Sequence, residues 1–399
     1  MSAIDLLVVG AGPAGVATAL TARARGLDVL VVDKATFPRD KTCGDGLTAS
    51  ALRLLEHLGV DAPALPGYAS VRETVLVSPS GRQVRLPLPN DGEHSAVVPR
   101  LELDAALLAH ARAAGVTVRE GAALVELDAT ADGSSARFAD GGAVDAAYVV
   151  AADGQWSAVR RQRSPETPAA DLGTWHAFRQ YFRGVDDARQ WVLFERDLLP
   201  GYAWVFPLPG GRANVGFGVL RDAQLDGKRL AALWREVITR SRLREVLGDR
   251  AEPEGPHRAW PIPASFSPDR LTDGRVLYTG DAAGVVDPMT GEGIAQALET
   301  GILAADAVAR GGQPAAVAAR YRRGVQRSIG RDLRFATTLQ RVLRSTLGAR
   351  AAIRAAGLTP WTRRNFARWM FEDYPRAALL TPDRWRRGMF NPPGAYRAA

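Results

Sequence analysis

Two glycine-rich stretches carry the chemistry that residue type and spacing allow in this chain. The first is GAGPAG at 10–15, directly after the apolar run 6–9 and with Asp33 18 residues beyond Gly15. Gly10 lets the chain turn sharply off a strand and Gly12 lets backbone approach a pyrophosphate. Pro13 and Ala14 lead to Gly15, which lets a helix pack closely on the sheet. The pyrophosphate then sits on a helix N-terminus, and Asp33, at the end of the strand-like run 27–32, suits a ribose hydroxyl. The second stretch is GDAAGVVDPMTGEGI at 280–294, which follows the strand-like run 276–278 and opens a helix. Asp281 can accept from a hydroxyl, Gly291 and Gly293 let backbone approach a ring system, and the helix points its positive end at that ring. Binding of a dinucleotide that carries a ring at one end is the chemistry implied.

Positioning those stretches takes an α/β scaffold that the chain leaves and re-enters. Residues 1–50 read as strand, helix, strand and loop, and 51–59 as a short helix. Residues 100–114 return to a helical pattern, followed by strands at 116–118, 122–128 and 147–151, the last leading to Asp153 and Gly154. Between these parts, 61–96 and 166–264 show the alternation of a different, antiparallel sheet. Tyr202, Trp204 and Phe206 alternate along one such strand, so their side chains share a face, either a cavity wall or plain sheet core. The fold expected is α/β. A Rossmann-type domain at 1–60, 97–165 and 265–310 interleaves with an antiparallel β-sheet substrate domain at 61–96 and 166–264. A helical region occupies 311–399.

With 399 residues, 46% hydrophobic and 24% charged, the chain has ample material for a large core. Cys43 is the sole cysteine and the five histidines show no metal spacing, so neither a disulfide nor a metal site is expected. No charged n-region with an apolar core precedes the first strand and no run of 18 apolar residues occurs, which points to a reducing cytoplasm. Residues 311–399 hold 18 arginines against four acids, a net +14, while the rest of the chain carries about −6. Such a basic region reads either as a solvated helical face or as a contact for anionic lipid, on the inner membrane face, or for an acyl carrier. Nucleic acid is not expected, because no recognition motif accompanies the charge. From Val317 to Leu347 apolar residues recur every three or four positions, the stripe of an amphipathic helix. Trp361, Trp369, Met370, Phe371 and Trp385 beyond it suit either a tunnel cover or a bilayer surface.

Taken together, GAGPAG, the Asp153–Gly154 pair and GDAAG resemble the FAD-binding set of the flavoprotein monooxygenase and reductase superfamily, over residues 1 to about 310. FPRDKTCGDGLT at 37–48, the YAWVFP of 202–207 and the ending GEGI narrow the likeness to the geranylgeranyl reductase family. One departure is visible: a single residue, Gly201, separates Pro200 from Tyr202 where that family has two. The resemblance implies non-covalent FAD, with NAD(P)H or a protein donor as reductant, and saturation of carbon–carbon double bonds in a prenyl or related hydrophobic substrate. It adds Lys34, Lys41, Cys43, Gly44, Arg100, Gly280 and Pro288 to the cofactor residues. Gly46 and His176 join the three aromatics as substrate residues, although a framework histidine is the plainer reading of His176. Cys43 and Tyr202 are the proton sources to consider, with packing as the other reading of Cys43. Arg39 could neutralise phosphates or be solvated. The alternative activity is a monooxygenase on the same fold, and a flavin sensor would need a cavity already filled by side chains. Halogenases resemble one another in WxWxIP and a catalytic lysine. Here the strand reads WVFP and no lysine lies between Lys41 and Lys228, so halogenation is not expected.

Overall fold

The computed structural model describes residues 3–87, 93–164, 173–221 and 227–385. The apolar segments Ile4–Val9 and Val29–Val32 form neighbouring parallel strands, as near-continuous hydrophobic runs buried on both faces do. They belong to an eight-stranded sheet whose main order is Thr272–Asp273, Val276–Tyr278, Ala143–Ala151, Ile4–Val9, Val29–Val32 and Thr117–Arg119. Leu124–Ala129 and Ser134–Phe138 extend it antiparallel beside Ala143–Ala151. The helices Pro13–Ala24 and Ile294–Ala309, one from each glycine-rich stretch, pack on each other. Gly15 explains the close seat of the first: a Cβ there would lie 1.8 Å from the Gly10 carbonyl oxygen.

A second sheet has seven strands in the order Glu252–Ile262, Trp175–Arg183, Arg212–Leu220, Tyr202–Leu208, Gln190–Leu193, Glu73–Val77 and Gln83–Pro87. All its pairs are antiparallel except Gln190–Leu193 with Glu73–Val77. A third sheet of three short strands, Gly46–Thr48, Ser95–Val97 and Ala69–Ser70, lies outside it. Alternation assigns the whole of 61–96 to one sheet. Ser95–Val97 pairs instead with Gly46–Thr48 on one side and Ala69–Ser70 on the other. Gly46–Thr48 leads into the helix Ala49–His57, where Thr48 is the N-cap and its hydroxyl accepts from Ala51 N.

The apolar stripe after Gly311 is not one regular helix. Pro314–Val325 runs through a π turn, Gln326–Gly330, into Arg331–Leu343. The wider turn inserts a residue into the 3.6-residue period, so Val325 and Leu333 both stay buried. The chain then breaks at Ser345, which caps Thr346–Ala356 by accepting from Gly348 N at 2.9 Å. That break takes Leu347 off the stripe and leaves it 77% exposed. The last long helix, Pro360–Met370, brings Ala367 and Phe371 against Leu86 and Val97, while Trp361 stays 63% exposed.

Candidate active site

One cavity of about 600 Å³ joins both glycine-rich stretches to the seven-stranded sheet. At its dinucleotide end it is lined by Gly10, Gly12, Pro13, Ala14, Asp33 and Lys34. Gly15 lies just beneath, in its packing role. Asp33 takes Ala11 N at 2.7 Å on one oxygen and Ala35 N at 2.8 Å on the other, which fixes the carboxylate while leaving lone pairs for a hydroxyl. Gly12 heads the helix Pro13–Ala24 with no side-chain cap, so its first-turn N–H groups are free for an anion.

Two guanidinium groups face that same turn. A Cβ on Gly12 would meet Arg39 Nη2 at 3.6 Å and Arg100 Nη2 at 3.9 Å. Both are anchored by the buried Asp104, which accepts from Arg100 Nε and Nη2 at 2.7 Å and from Arg39 Nη1 at 2.9 Å. Fixed geometry and incomplete neutralisation make the pair a suitable cradle for a pyrophosphate. Lys41 also lines the cavity; its Nζ pairs with Asp281 at 3.4 Å and lies 4.9 Å from the Trp260 ring centroid.

Further along, Asp153, Gly280 and Asp281 line the cavity, followed by Gly291, Gly293 and Ile294. Asp153 Oδ1 is buried without a partner, and burial pushes its carboxyl above the usual range. An orphaned acceptor on the wall of a cavity lined by both glycine-rich stretches fits a ligand hydroxyl. Gly293 begins the helix Ile294–Ala309, again with no side-chain cap. FAD therefore fits the residues present. Asp33 suits the ribose, Arg39, Arg100 and Gly12 the pyrophosphate, and Asp153 and Asp281 the ribityl chain. The turn at Gly291–Gly293 suits the ring.

At the far end, Tyr202, Trp204 and Phe206 form a wall beside Cys43, Gly44 and Gly46. A Cβ on Gly44 would sit 3.5 Å from the Phe206 ring and 3.7 Å from Trp204. Trp204 Nε1 donates to Asn214 Oδ1 at 3.0 Å, and Asn214 Nδ2 donates to Cys43 O at 2.9 Å and Asp45 Oδ2 at 2.7 Å. Tyr181 Oη also donates to Asp45 at 2.7 Å, and Arg100 N donates to its other oxygen at 3.2 Å. Burial pushes Asp45 up to about 6, opposed by those bonds and by Arg179. This network clamps the Cys43 loop to the sheet. Burial raises Cys43, so its thiol keeps its proton. Burial, with the Glu292 and Asp287 carboxylates adding to it, likewise raises Tyr202, whose hydroxyl donates to Thr290 O.

Two of the named residues fall elsewhere. His176 lies between Trp175 and Ala177, which do line the cavity, so strand alternation turns it to the opposite face. Pro288 is not on the wall either. Its carbonyl accepts from Gln340 Nε2 at 2.8 Å, which docks the helix Arg331–Leu343 onto the back of the second glycine-rich stretch. Conversely Asp45, Asn214 and Glu292 belong to the site and were not singled out. Glu292 carries a signal in the sequence, its place between Gly291 and Gly293.

A Rossmann-type sheet with two uncapped helix N-termini on one cavity defines a flavoprotein of the FAD-binding type. Residues 3–310 match the family described as FAD binding domain, and the chain belongs to that family as an FAD-dependent oxidoreductase. It is 34% identical over 372 residues to a menaquinone reductase of Mycolicibacterium smegmatis, covering 86% of each chain. It is 30% identical over 318 residues to the digeranylgeranylglycerophospholipid reductase of Methanosarcina mazei, covering 76% of this chain and 74% of that one. Among solved structures, a geranylgeranyl bacteriochlorophyll reductase-like protein of Thermoplasma acidophilum superposes with a TM-score of 0.75. That match has 22% identity and covers 96% of this chain and 100% of the other. It shows the shared fold.

Proposed function

We propose that this protein saturates a carbon–carbon double bond in the prenyl chain of a lipid-soluble substrate of the menaquinone or isoprenoid-lipid class. The observation that carries this reading is the single cavity that runs from the dinucleotide cradle to the wall of Tyr202, Trp204 and Phe206. An apolar chain can lie along that wall with its double bond beside the ring site. Likeness to relatives named as reductases of a quinone and of an isoprenoid lipid supports the choice of reaction. Non-covalently bound FAD, reduced by NAD(P)H or a protein donor, supplies a hydride, and this chain's residues orient the alkene, exclude water and furnish a proton. Tyr202 Oη is committed to Thr290 O, which suits it to shaping the wall.

Anaerobic stopped-flow mixing of the dithionite-reduced holoprotein with menaquinones and geranylgeranyl lipids tests the reading. Reoxidation coupled to loss of one double bond is the expected result. Rapid oxygen uptake with a hydroxylated product, and no anaerobic reoxidation, would establish the monooxygenase alternative.

The same reading gives the C-terminal helices a task, because such substrates reside in membranes. Leu347 and Trp361 are 77% and 63% exposed on helices rich in arginine, and Leu358, 64% exposed, lies in the turn between those helices. Apolar tips among cations suit docking on an anionic bilayer. Among the described residues no helix is long and apolar enough to cross one. Salt-sensitive sedimentation with anionic vesicles, lost in Leu347→Asp/Trp361→Asp, is the expected outcome. Pull-down by an acyl carrier without vesicle binding would redirect the surface to a protein partner.

A further inference from the structure

Beside the aromatic wall one protic group stands apart from its neighbours. Glu292 lines the cavity, yet its carboxyl makes no hydrogen bond or ion pair with any described residue. Its Oε1 leans on the strand Gly46–Thr48, 3.4 Å from where a Cβ on Gly46 would lie. Two residues along the same face of that strand, about 7 Å away, Thr48 Oγ1 donates to a second carboxyl, Glu372 Oε2, at 2.9 Å. Gln296 Nε2 donates to Glu372 Oε1, also at 2.9 Å.

Glu372 opens onto a separate, polar cavity of about 320 Å³, with Asp287, Gln296, Asp332 and Arg376. Two groups on its wall are unsatisfied although nearly fully buried: Arg376 Nη1 and Gln296 Oε1 have no hydrogen-bond partner. Buried donors and acceptors left open on a roomy polar cavity are sites for ordered water. The strand Gly46–Thr48 thus has an apolar substrate cavity at one end and a water-accessible cavity at the other, with a carboxyl leaning on it at each.

We propose that Glu292 is the catalytic acid that gives the substrate carbon its proton, and that Glu372 and the polar cavity return a proton to it from solvent. This rests on the reductase reading above. Hydride from the reduced cofactor forms one C–H bond with both its electrons. At the other alkene carbon the π electron pair forms a C–H bond with the Glu292 proton, the Oε–H bond breaks, and its pair stays on the carboxylate. One proton from solvent, passed by way of Glu372, restores the acid in each turnover. Burial, with the Glu372 carboxylate adding to it, pushes Glu292 up to about 8, so it carries a proton at neutral pH. The charged groups that face it are Glu372, Asp287 and Arg376, with Tyr202 close by.

The test compares the wild-type holoprotein with Glu292→Gln and Glu372→Gln. In Glu292→Gln we expect unchanged FAD content and at least about 100-fold slower anaerobic reoxidation by a prenyl alkene, the usual scale for losing a general acid. A protonated-carboxyl infrared band, seen in wild type at neutral pH without substrate, should vanish in this variant. In Glu372→Gln the band should titrate at lower pH, because a neighbouring negative charge has gone. Reoxidation of Glu292→Gln within threefold of wild type would overturn the proposal, as would an infrared band showing Glu292 ionised at pH 7. A wild-type protein that no prenyl alkene reoxidises would remove the reductase reading. The infrared titration would still decide whether Glu292 holds its proton.

Discussion

The two faces of the seven-stranded sheet are built from the same kinds of residue and serve opposite ends. On one face Phe178 and Phe217 stack at 5.1 Å, and Trp234 of the helix Gly227–Ile238 lies within 6.3 Å of both rings. Leu230, Leu233 and Val237 of that helix complete a closed core. On the other face Tyr202, Trp204 and Phe206 sit at successive 6.1 Å separations. The neighbouring strands place Ala177, Gly216 and Gly218 on that side, and space remains. Ring content does not separate core from cavity here. The small residues opposite do so.

Truncation should expose the difference. Trp234→Ala removes a fully packed ring from the closed face and should cost about 3–5 kcal/mol, read by denaturant unfolding, with FAD content per folded molecule unchanged. Trp204→Ala borders space already, so its stability cost should be smaller, about 1–2 kcal/mol, mostly from the bond to Asn214. Its kcat/KM for a prenyl substrate should fall at least tenfold. Equal stability costs would mean that the cavity face is simply core.

Gly216 sharpens the same point at one atom. A Cβ there would lie 2.3 Å from the Trp204 ring and 2.2 Å from Phe178 O. Gly216→Ala must move the indole or the strand, which predicts a loss of about 1–3 kcal/mol and altered substrate affinity, measured by unfolding and substrate titration. A variant as stable as wild type would show that the indole has room to swing.

How much of this was legible in sequence follows from the range of the interactions. GAGPAG acts within one turn, and Gly10 to Asp33 are joined by local strand pairing, so types and spacing revealed the dinucleotide end. Alternation told that Tyr202, Trp204 and Phe206 share a face but not what lies opposite, because Gly216 and Gly218 come from another strand. His176 missed the cavity by strand parity: one residue either way would have faced it. Asp45 acquires its character from Tyr181 and Asn214, 136 and 169 residues away, and neither spacing is a motif. Glu292 depends on burial and then on Glu372, which comes from beyond the last long helix, 80 residues along the chain.

That dependence gives the carboxyl a stability signature. Glu292 holds its proton up to about 8 in the folded chain, against an ordinary value of 4.5. Between those pH values the folded state binds more protons than the unfolded one, so this contribution is complete below about 4.5 and is lost as pH rises through 8. Glu292→Gln lacks the effect. Its Tm relative to wild type should therefore climb as pH rises from 5 to 8.5, and a difference that stays flat would mean an ordinary surface-like carboxyl.

The smallest effect should come from Cys43. Its backbone carbonyl is held by Asn214, and burial keeps its thiol protonated, so the loop position and the wall survive without the sulfur. A thiol with a raised pKa is a poorer acid than a carboxyl that titrates near 8, and Glu292 shares the cavity with it. Cys43→Ala should thus leave FAD content unchanged and alkene-driven reoxidation within about threefold of wild type, a loss of packing alone. A drop of 100-fold at unchanged FAD content would instead place the proton on the thiol. The cavity face would then owe its chemistry to the loop bearing Cys43 and not to the acid between the two glycines.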